Sequence, residues 1–427
     1  MIYIWTYGCT FNTSDSQTMR HFLYDELTDD LERADIVIFN TCGVKGQTEH
    51  RVLRDIAGVM GTKKVIVAGC LPLINGGAIP SGVDAVIGPD QIPQIRDIVA
   101  RVRAGGKVRD TSPSHAEPVL LPREGEPPVG IVPISLGCKG SCTYCATRFA
   151  RGRLRSYAPE DILRTVSHLI EEGYREIELT SQDTGCYGAD IGTSLHLLLS
   201  SLAALPGDFR IRVGMMNPNH VLDDLDDLVS CFENEKLYSF VHLPVQAGSD
   251  RVLRDMNRHY TSAEFLDIVD AFRTRIPDLY LATDIIVGFP GESEGEFAES
   301  CDLIRACRPD KVNVTRYSAR PGTPAAGMKQ FPDRIKKDRS RILTKLVHQL
   351  SWDINQAYVG REVRALVTQE GKKGRRIGRL DNYKPIVVDG PLGSFVTCRV
   401  VKATSTYLVG ASPTRDEQHH REHDEGA

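Results

Sequence analysis

The sequence predicts a mixed α/β protein: a parallel-sheet α/β unit, then a (β/α) partial barrel, then a small β-barrel. Three observations carry this. Strand-sized apolar runs alternate with helix-length segments over residues 1–105, and the same alternation returns over 130–355. Between them, residues 106–129 have linker composition, with Ser112-Pro113-Ser114 and Gly125-Glu126-Pro127-Pro128. Over 356–411 the runs become short and are separated by Gly-rich turns.

In chain order, the first unit reads as a strand at 2–6, a helix at 15–27, a strand at 36–40 and a helix at 47–60. A strand at 64–68, a short strand at 83–87 and a closing helix at 92–104 complete it. The first three strands are each followed by a cysteine, Cys9, Cys42 and Cys70. Ligands bind at the carboxyl ends of strands in an open parallel sheet, so these three distant cysteines converge at one edge. The second unit has strands at 132–136, 176–180, 210–215, 240–243, 282–287 and 311–315, with helices at 159–172, 262–274 and 294–306. A helix over 334–358 leads out to strands at 363–368, 386–388, 395–403 and 407–411. The polar, His-rich segment 412–427 reads as a disordered tail.

With 41% hydrophobic and 25% charged residues among 427, the chain has the composition of a globular protein with a real core. No apolar run approaches the ~18 residues needed to cross a bilayer, and no secretory signal is visible. A cytoplasmic protein is expected. Eleven cysteines in a reducing compartment point to metal binding rather than disulfides. The net charge of −4 excludes a globally basic nucleic-acid binder, but residues 357–411 carry ten Lys/Arg against four Asp/Glu.

The strongest local signal is Cys138-Lys139-Gly140-Ser141-Cys142-Thr143-Tyr144-Cys145, a CxxxCxxC loop directly after the first strand of the second unit. Three thiolates can hold three corners of a cubane cluster, leaving one iron open to a small molecule. A structural zinc site would want four protein ligands, and no second CxxC is present.

This spacing resembles the radical S-adenosylmethionine (SAM) superfamily. That resemblance implies SAM chelating the open iron through its amino and carboxylate groups, then reductive cleavage to a 5′-deoxyadenosyl radical. Thr6-Tyr7-Gly8-Cys9 with Asn12 and Asp15-Ser16, then Asn40-Thr41-Cys42-Gly43-Val44 and Ala68-Gly69-Cys70, is similar to the first domain of tRNA methylthiotransferases. The resemblance extends to about residue 411. It implies that Cys9, Cys42 and Cys70 hold a second [4Fe–4S] cluster with one open iron, and that the C-terminal unit is a TRAM-like RNA-binding barrel. Ala150-Arg151-Gly152, the run Leu179–Gly185, Gly214-Met215-Met216-Asn217-Pro218, the run His242–Ser249 and Thr283–Glu292 resemble the archaeal and eukaryotic branch. Members of that branch act on N6-threonylcarbamoyladenosine at position 37, beside the anticodon. The implied reaction is 2-methylthiolation, with two [4Fe–4S] clusters and SAM as cofactors. The implied partners are tRNA through its anticodon stem-loop, a reductase or ferredoxin as electron donor, and a sulfur donor.

Other residues are weighed on position. Ser181, Gln182 and Asp183 follow the second barrel strand and face either SAM and the adenine or an ordinary turn. Gln246 and Asp284 lie at or near strand ends. Gly288 and Gly291 admit a ligand close to the backbone or simply make a turn. Arg148, Arg151, Arg153 and Arg155 contact tRNA phosphates or the threonyl carboxylate, or are solvated surface. Lys372, Lys373, Arg375, Arg376 and Arg379 read as an RNA-binding hairpin. Cys186, Cys231, Cys301, Cys307 and Cys398 read as packing cysteines, with Cys186 near the strand-end site. His419, His420 and His423 belong to the tail.

Three other readings stay open. One is the same chemistry on isopentenyl-adenosine of tRNA or on an aspartate of a ribosomal protein. Another is a non-catalytic iron–sulfur or zinc RNA-binding protein. The last is a radical SAM enzyme that only methylates, which would not need the first cysteine triad.

Overall fold

The structure, a computed structural model, describes residues 1–44, 46–114 and 118–411, apart from the Lys373 side chain. The expected tail and its histidines lie outside the described residues. Five strands, β1 (Ile2–Thr6), β2 (Ile36–Thr41), β3 (Lys64–Gly69), β4 (Ala85–Ile87) and β5 (Val108–Asp110), form one fully parallel sheet in sequence order. Both faces are covered, which is why its central strands are continuously apolar. Ile36, Ile38 and Ile66 pack with Met19 of helix α1 (Thr10–Phe22). Val37, Phe39, Val65 and Val67 point the other way, onto Val52 and Ile56 of α2 (Gly46–Val59). Helices α3 (Leu71–Asn75) and α4 (Ile95–Arg103) complete the unit.

Two details differ from what the sequence predicts. Helix α1 spans Thr10–Phe22 rather than 15–27. Its inward face carries Asn12, Ser14, Ser16 and Thr18, all buried, so the apolar period that marks a helix is hidden in its first turns. Strand β5 lies inside the segment of linker composition. Three residues are too few to show a period, and pairing with β4 makes the strand.

The second unit is an open wall of six parallel strands. These are β6 (Val129–Pro133), β9 (Glu176–Thr180), β10 (Arg210–Val213), β11 (Phe240–His242), β12 (Tyr280–Val287) and β13 (Lys311–Arg316). The two ladders β6-β9-β10 and β11-β12-β13 join through the bridges Ile211–Leu237 and Met215–His242. The strand expected over 132–136 breaks after Pro133. Its remainder, β7 (Ser135–Leu136), turns to pair antiparallel with β8 (Arg155–Ser156), which sets the cysteine loop apart from the wall. Helices α5 (Thr147–Arg151), α6 (Pro159–Glu171), α7 (Leu195–Ala203), α8 (Leu225–Cys231), α9 (Asp250–Asp255), α10 (Ser262–Arg275) and α11 (Glu294–Cys307) follow the strands. The largest core packs the outward residues Ile177, Leu179, Ile211, Val213 and Leu281 against helix residues such as Leu199 and Phe272. The opposite, concave face carries Glu178, Arg212, His242 and Asp284. A polar lumen results.

Helix α12 (Asp333–Gln356) leads to a closed five-stranded barrel of β14 (Glu362–Glu370), β15 (Arg376–Leu380), β16 (Pro385–Val388), β17 (Phe395–Ala403) and β18 (Leu408–Ala411). Strand β15 falls where the sequence suggests only a basic hairpin, because its arginines mask the alternation of Gly378 and Leu380 into the barrel. Buried polar contacts seat this barrel on the lumen. The Lys384 ammonium donates to Asp310 and Asn355, both at 2.7 Å, and the Tyr358 hydroxyl donates to Asp278 at 2.6 Å. Among the described residues no helix is long and apolar enough to cross a membrane.

Candidate functional site

Three strand ends deliver the first cysteine set. Cys9 precedes α1, Cys42 follows β2, and Cys70 sits between β3 and α3. A buried amide network locks these loops: Asn12 Nδ2 donates to the Thr41 carbonyl at 3.1 Å, and Asn40 Nδ2 to the Asn12 carbonyl at 2.7 Å and Ser16 Oγ at 2.9 Å. The approach is close enough that a Cβ on Gly8, whose φ is +115°, would lie 2.9 Å from Cys42 Cβ. Exposure is graded, from Cys9 at the surface to Cys70 buried. Burial pushes the Cys70 thiol up to about 11; the nearby Arg151 opposes this, and Cys42, Asp15 and Cys9 add to it.

The second set lies on the loop after β7. Gly137, at φ +70°, donates its N–H to Gln182 Oε1 at 2.6 Å. The Gly140 N–H points at Cys138 Sγ at 3.2 Å. Thr143 donates through its N–H to the Met256 carbonyl and through Oγ1 to the Asp255 carbonyl, at 3.0 and 2.8 Å, and Asn257 Nδ2 donates to the Ser141 carbonyl at 2.9 Å. Buried Arg258 donates to Cys142 Sγ at 3.4 Å and to the Pro244 carbonyl at 2.7 Å. The hydrogen bond from Cys186, and after it the Gly140 N–H, hold the Cys138 thiol below its ordinary value, which favours the thiolate that holds a cluster. Burial raises the Cys145 thiol. A loop braced from outside, with donors on its sulfurs, fits an iron–sulfur cluster.

The two cysteine sets share one neighbourhood. Cys70 and Ile74 pack with Ala146, which follows Cys145 directly, and with Ala150 in the helix beyond it. Beside them Arg151 is buried, paired with Asp15 at 2.5 Å, its guanidinium 4.6 Å from the Phe11 ring centre. Arg151, expected at an RNA phosphate or the threonyl carboxylate, is therefore a bridge between the two cysteine-bearing units. Desolvating an arginine is tolerable only against a partner such as Asp15. Arg320 makes a second bridge, in a buried pair with Glu49 and a 3.1 Å bond to the Val44 carbonyl.

The strand-end residues divide by role. Gln182 holds Gly137. Ser181 Oγ accepts the Asp183 N–H at 3.0 Å, as an ordinary turn requires. Asp183 is buried: Oδ1 accepts the Gly185 and Asn217 N–H groups at 3.1 and 3.0 Å, and Oδ2 lies 2.7 Å from His220 Nδ1. Cys186 sits beside Cys138 and Asp183, with ligating atoms all within 4.8 Å, its thiol directed to the Asp183 carbonyl at 3.2 Å. Cys301, Cys307 and Cys398 are buried in packing positions. Gln246, at φ +76°, bonds through its backbone to Asp284 and Ile286. Asp284 lies 3.1 Å from His242 Nε2 and accepts from Asn313 Nδ2 at 2.5 Å. The space a Cβ of Gly288 would take is filled by the Lys336 methylenes, so this glycine serves its turn.

Of the remaining arginines, Arg148 and Arg153 are exposed beside Cys138 and Lys139 in a cleft of about 420 Å³. Arg155 is half-buried, paired with Asp90 at 3.2 Å. On the C-terminal barrel Lys372 is exposed, Arg375 pairs with Asp389 at 3.2 Å and Arg376 with Glu370 at 2.5 Å. Sequence reasoning does not find Arg258, His220 or the lumen residues Arg212 and Tyr383. None stands in a local motif, and only the register of the wall exposes the lumen pattern.

The lumen is a cleft of about 730 Å³ running from Thr10, next to Cys9, down to Arg379 and Tyr383 of the C-terminal barrel. Both the loops at its rim and the barrel at its base have counterparts in known proteins. The Radical SAM superfamily model matches residues 132–304, the Uncharacterized protein family UPF0004 model residues 1–88, and the TRAM domain model residues 356–411. A Pyrococcus horikoshii protein named "Probable threonylcarbamoyladenosine tRNA methylthiotransferase" is 48% identical over 96% of this chain and 98% of its own length. A protein of the same name from Archaeoglobus fulgidus is 44% identical over 95% of this chain and 97% of its own. The Drosophila melanogaster "Threonylcarbamoyladenosine tRNA methylthiotransferase" is 36% identical over 96% of this chain and 77% of its own. Among solved structures, the radical SAM methyltransferase TsrM from Kitasatospora setae shares the fold at a TM-score of 0.52 and 14% identity, over 74% of this chain and 67% of that one. By sequence similarity along nearly its whole length, the chain belongs to the threonylcarbamoyladenosine tRNA methylthiotransferase family.

Proposed function

We propose that this protein attaches a methylthio group to carbon 2 of N6-threonylcarbamoyladenosine at position 37 of tRNA, in the cytoplasm. The observation that carries this reading is the packing of Cys70 of one cysteine triad on Ala146, the residue after the other triad, in a chain 48% identical to a relative named for that reaction. Cys138, Cys142 and Cys145 would hold the cluster that binds SAM, and Cys9, Cys42 and Cys70 an auxiliary cluster. A methylating enzyme alone would not need the second triad. When bound, these groups supply radical chemistry able to break an unactivated C–H bond and the sulfur to replace it. The division into units 1–105, 130–355 and 356–411 matches these tasks, with residues 106–129 between the first two.

The chain's own residues hold the machinery. Gln182, Asn257 and the Asp255 carbonyl fix the cysteine loop, and Arg258 and the Gly140 N–H donate to Cys142 Sγ and Cys138 Sγ. Asp183 and His220 brace the loops that rim the lumen, while Gln246, Asp284 and His242 line the side on which SAM or the nucleoside would lie. Exposed Arg148 and Arg153 beside this rim, with Lys372, Lys373, Arg375 and Arg376 on the C-terminal barrel, are the surface offered to the anticodon stem-loop. A reductase or ferredoxin and a sulfur donor complete the system. The test is mass spectrometry of tRNA nucleosides from cells with and without the gene. Loss of the 2-methylthio form of threonylcarbamoyladenosine supports the reading; loss of the isopentenyl form, or no change, rejects it.

A further inference from the structure

Two guanidiniums in the lumen are paired with no carboxylate. Arg212, on β10, and Arg379, on β15 of the C-terminal barrel, both line the cleft. Among the described residues neither side chain donates a hydrogen bond or forms an ion pair, and the Nε of each is buried without a partner. Both lie over the same ring, their guanidinium carbons 5.6 and 4.6 Å from the centre of Tyr383. Glu176 attracts both cations and Glu178 attracts Arg379 across space, but neither acid makes a direct ion pair with them. Glu178 accepts the Tyr383 hydroxyl at 2.9 Å, and Glu176 accepts the Tyr238 hydroxyl at 2.7 Å. Of the fully buried arginines, Arg151 pairs with Asp15, Arg320 with Glu49 and Arg339 with Glu292, whereas Arg258 is held by the Tyr260 hydroxyl, Cys142 Sγ and the Pro244 carbonyl.

Half-burying a cation that makes no direct ion pair is costly, and an anion that enters recovers part of that cost. A flat guanidinium fork fits a carboxylate in two parallel bonds. This cleft begins beside the first cysteine set, where carbon 2 of the adenine must react if the proposed function holds. A substituent on N6 extends away from that carbon. Threonylcarbamoyl ends in a carboxylate; isopentenyl is neutral.

We propose that Arg212 and Arg379 together receive the carboxylate of the N6-threonylcarbamoyl group and are the residues that select an acid-bearing nucleoside over a neutral one. This rests on the proposed function. It also gives the C-terminal barrel a second task, since one of the two arginines is its own.

The test compares two synthetic anticodon stem-loops, one with the free threonylcarbamoyl acid and one with its methyl ester, on reconstituted enzyme. The unaltered enzyme should favour the acid by about tenfold or more in kcat/KM, because a site built for a polar group rejects the analogue that leaves it unpaired. Arg212→Gln and Arg379→Gln should each bring that ratio towards one, with Arg212→Lys intermediate. Binding of the unmodified stem-loop and SAM cleavage without RNA should stay unchanged. Equal turnover of acid and ester by the unaltered enzyme overturns the inference without requiring any variant to fold. So does a variant that keeps the original ratio, or one that weakens modified and unmodified RNA alike, which would mark a phosphate contact. No turnover of either RNA by the unaltered enzyme overturns the proposed function itself.

Discussion

Arg151 and Asp15 meet at 2.5 Å in a buried ion pair that ties the helix after the CxxxCxxC loop to the helix after Cys9. Burial raises the Asp15 carboxyl, and Arg151 opposes that shift by favouring the charged form. Arg151→Met should therefore strand a buried carboxylate and destabilise the protein by about 3–5 kcal/mol. Adding Asp15→Asn should recover part of that stability. Chemical denaturation of the two variants checks this, and full additivity would show that the pair does not act as one.

The cysteine sets should separate by product. Alanine at Cys138, Cys142 or Cys145 should abolish 5′-deoxyadenosine formation from SAM. Alanine at Cys9, Cys42 or Cys70 should leave it largely intact and remove the methylthiolated nucleoside. Chromatography of both products from anaerobically reconstituted enzyme decides, and substantial SAM cleavage by Cys142→Ala would remove that residue from the ligands.

Glu176 makes stability depend on pH. Burial is the main cause that pushes its carboxyl up to about 7, with the neighbouring Glu178 adding and the Tyr238 hydroxyl, Arg379 and Arg212 opposing. A raised folded-state value means the folded protein binds more protons than the unfolded chain between about pH 4.5 and 7, so this group's contribution falls as pH rises through that window. Above pH 7 the accumulated cost is about 3 kcal/mol. Glu176→Gln should flatten the decline, measured as denaturation midpoints from pH 5 to 8; an unchanged slope would count against it.

Seating of the C-terminal barrel should depend on Lys384, which is buried between Asp310 and Asn355. Lys384→Met leaves Asp310 unpaired and should cost about 3–5 kcal/mol. Limited proteolysis near residues 356–361 should accelerate in the variant, and an unchanged rate would show that other contacts suffice.

Replacing Lys372, Lys373, Arg375 and Arg376 by Gln should weaken tRNA binding and flatten its salt dependence by about one power of salt for each phosphate no longer neutralised. Filter binding across a salt series reads this. Because Arg375 and Arg376 already face Asp389 and Glu370, Lys372 should account for more of the change than either arginine.

Much of this protein is legible in the chain because the relevant signals are local. Strand and helix periods, the CxxxCxxC spacing and the cysteine after each early strand depend on neighbours a few residues apart. From them come the fold class and the placing of the six cysteines, while the resemblance of longer motifs supplies the family and implies two clusters. Where a side chain's partner is remote, the local signal fails. Polar residues on the inner face of α1 hide its first turns, since Asn12 and Ser16 answer to Asn40 rather than to an apolar core. Charge alone puts Arg151 on the RNA surface, although its partner Asp15 lies 136 positions away. Arg212 carries no local signal and Arg379 reads as part of an RNA-binding hairpin until the curvature of six strands and the docking of a second barrel bring both into one lumen. The chain's local pattern determined which elements form and which chemistry they carry. Desolvation and pairing, which depend on how distant segments pack, decided which charges are buried, which are matched and which remain open for a ligand.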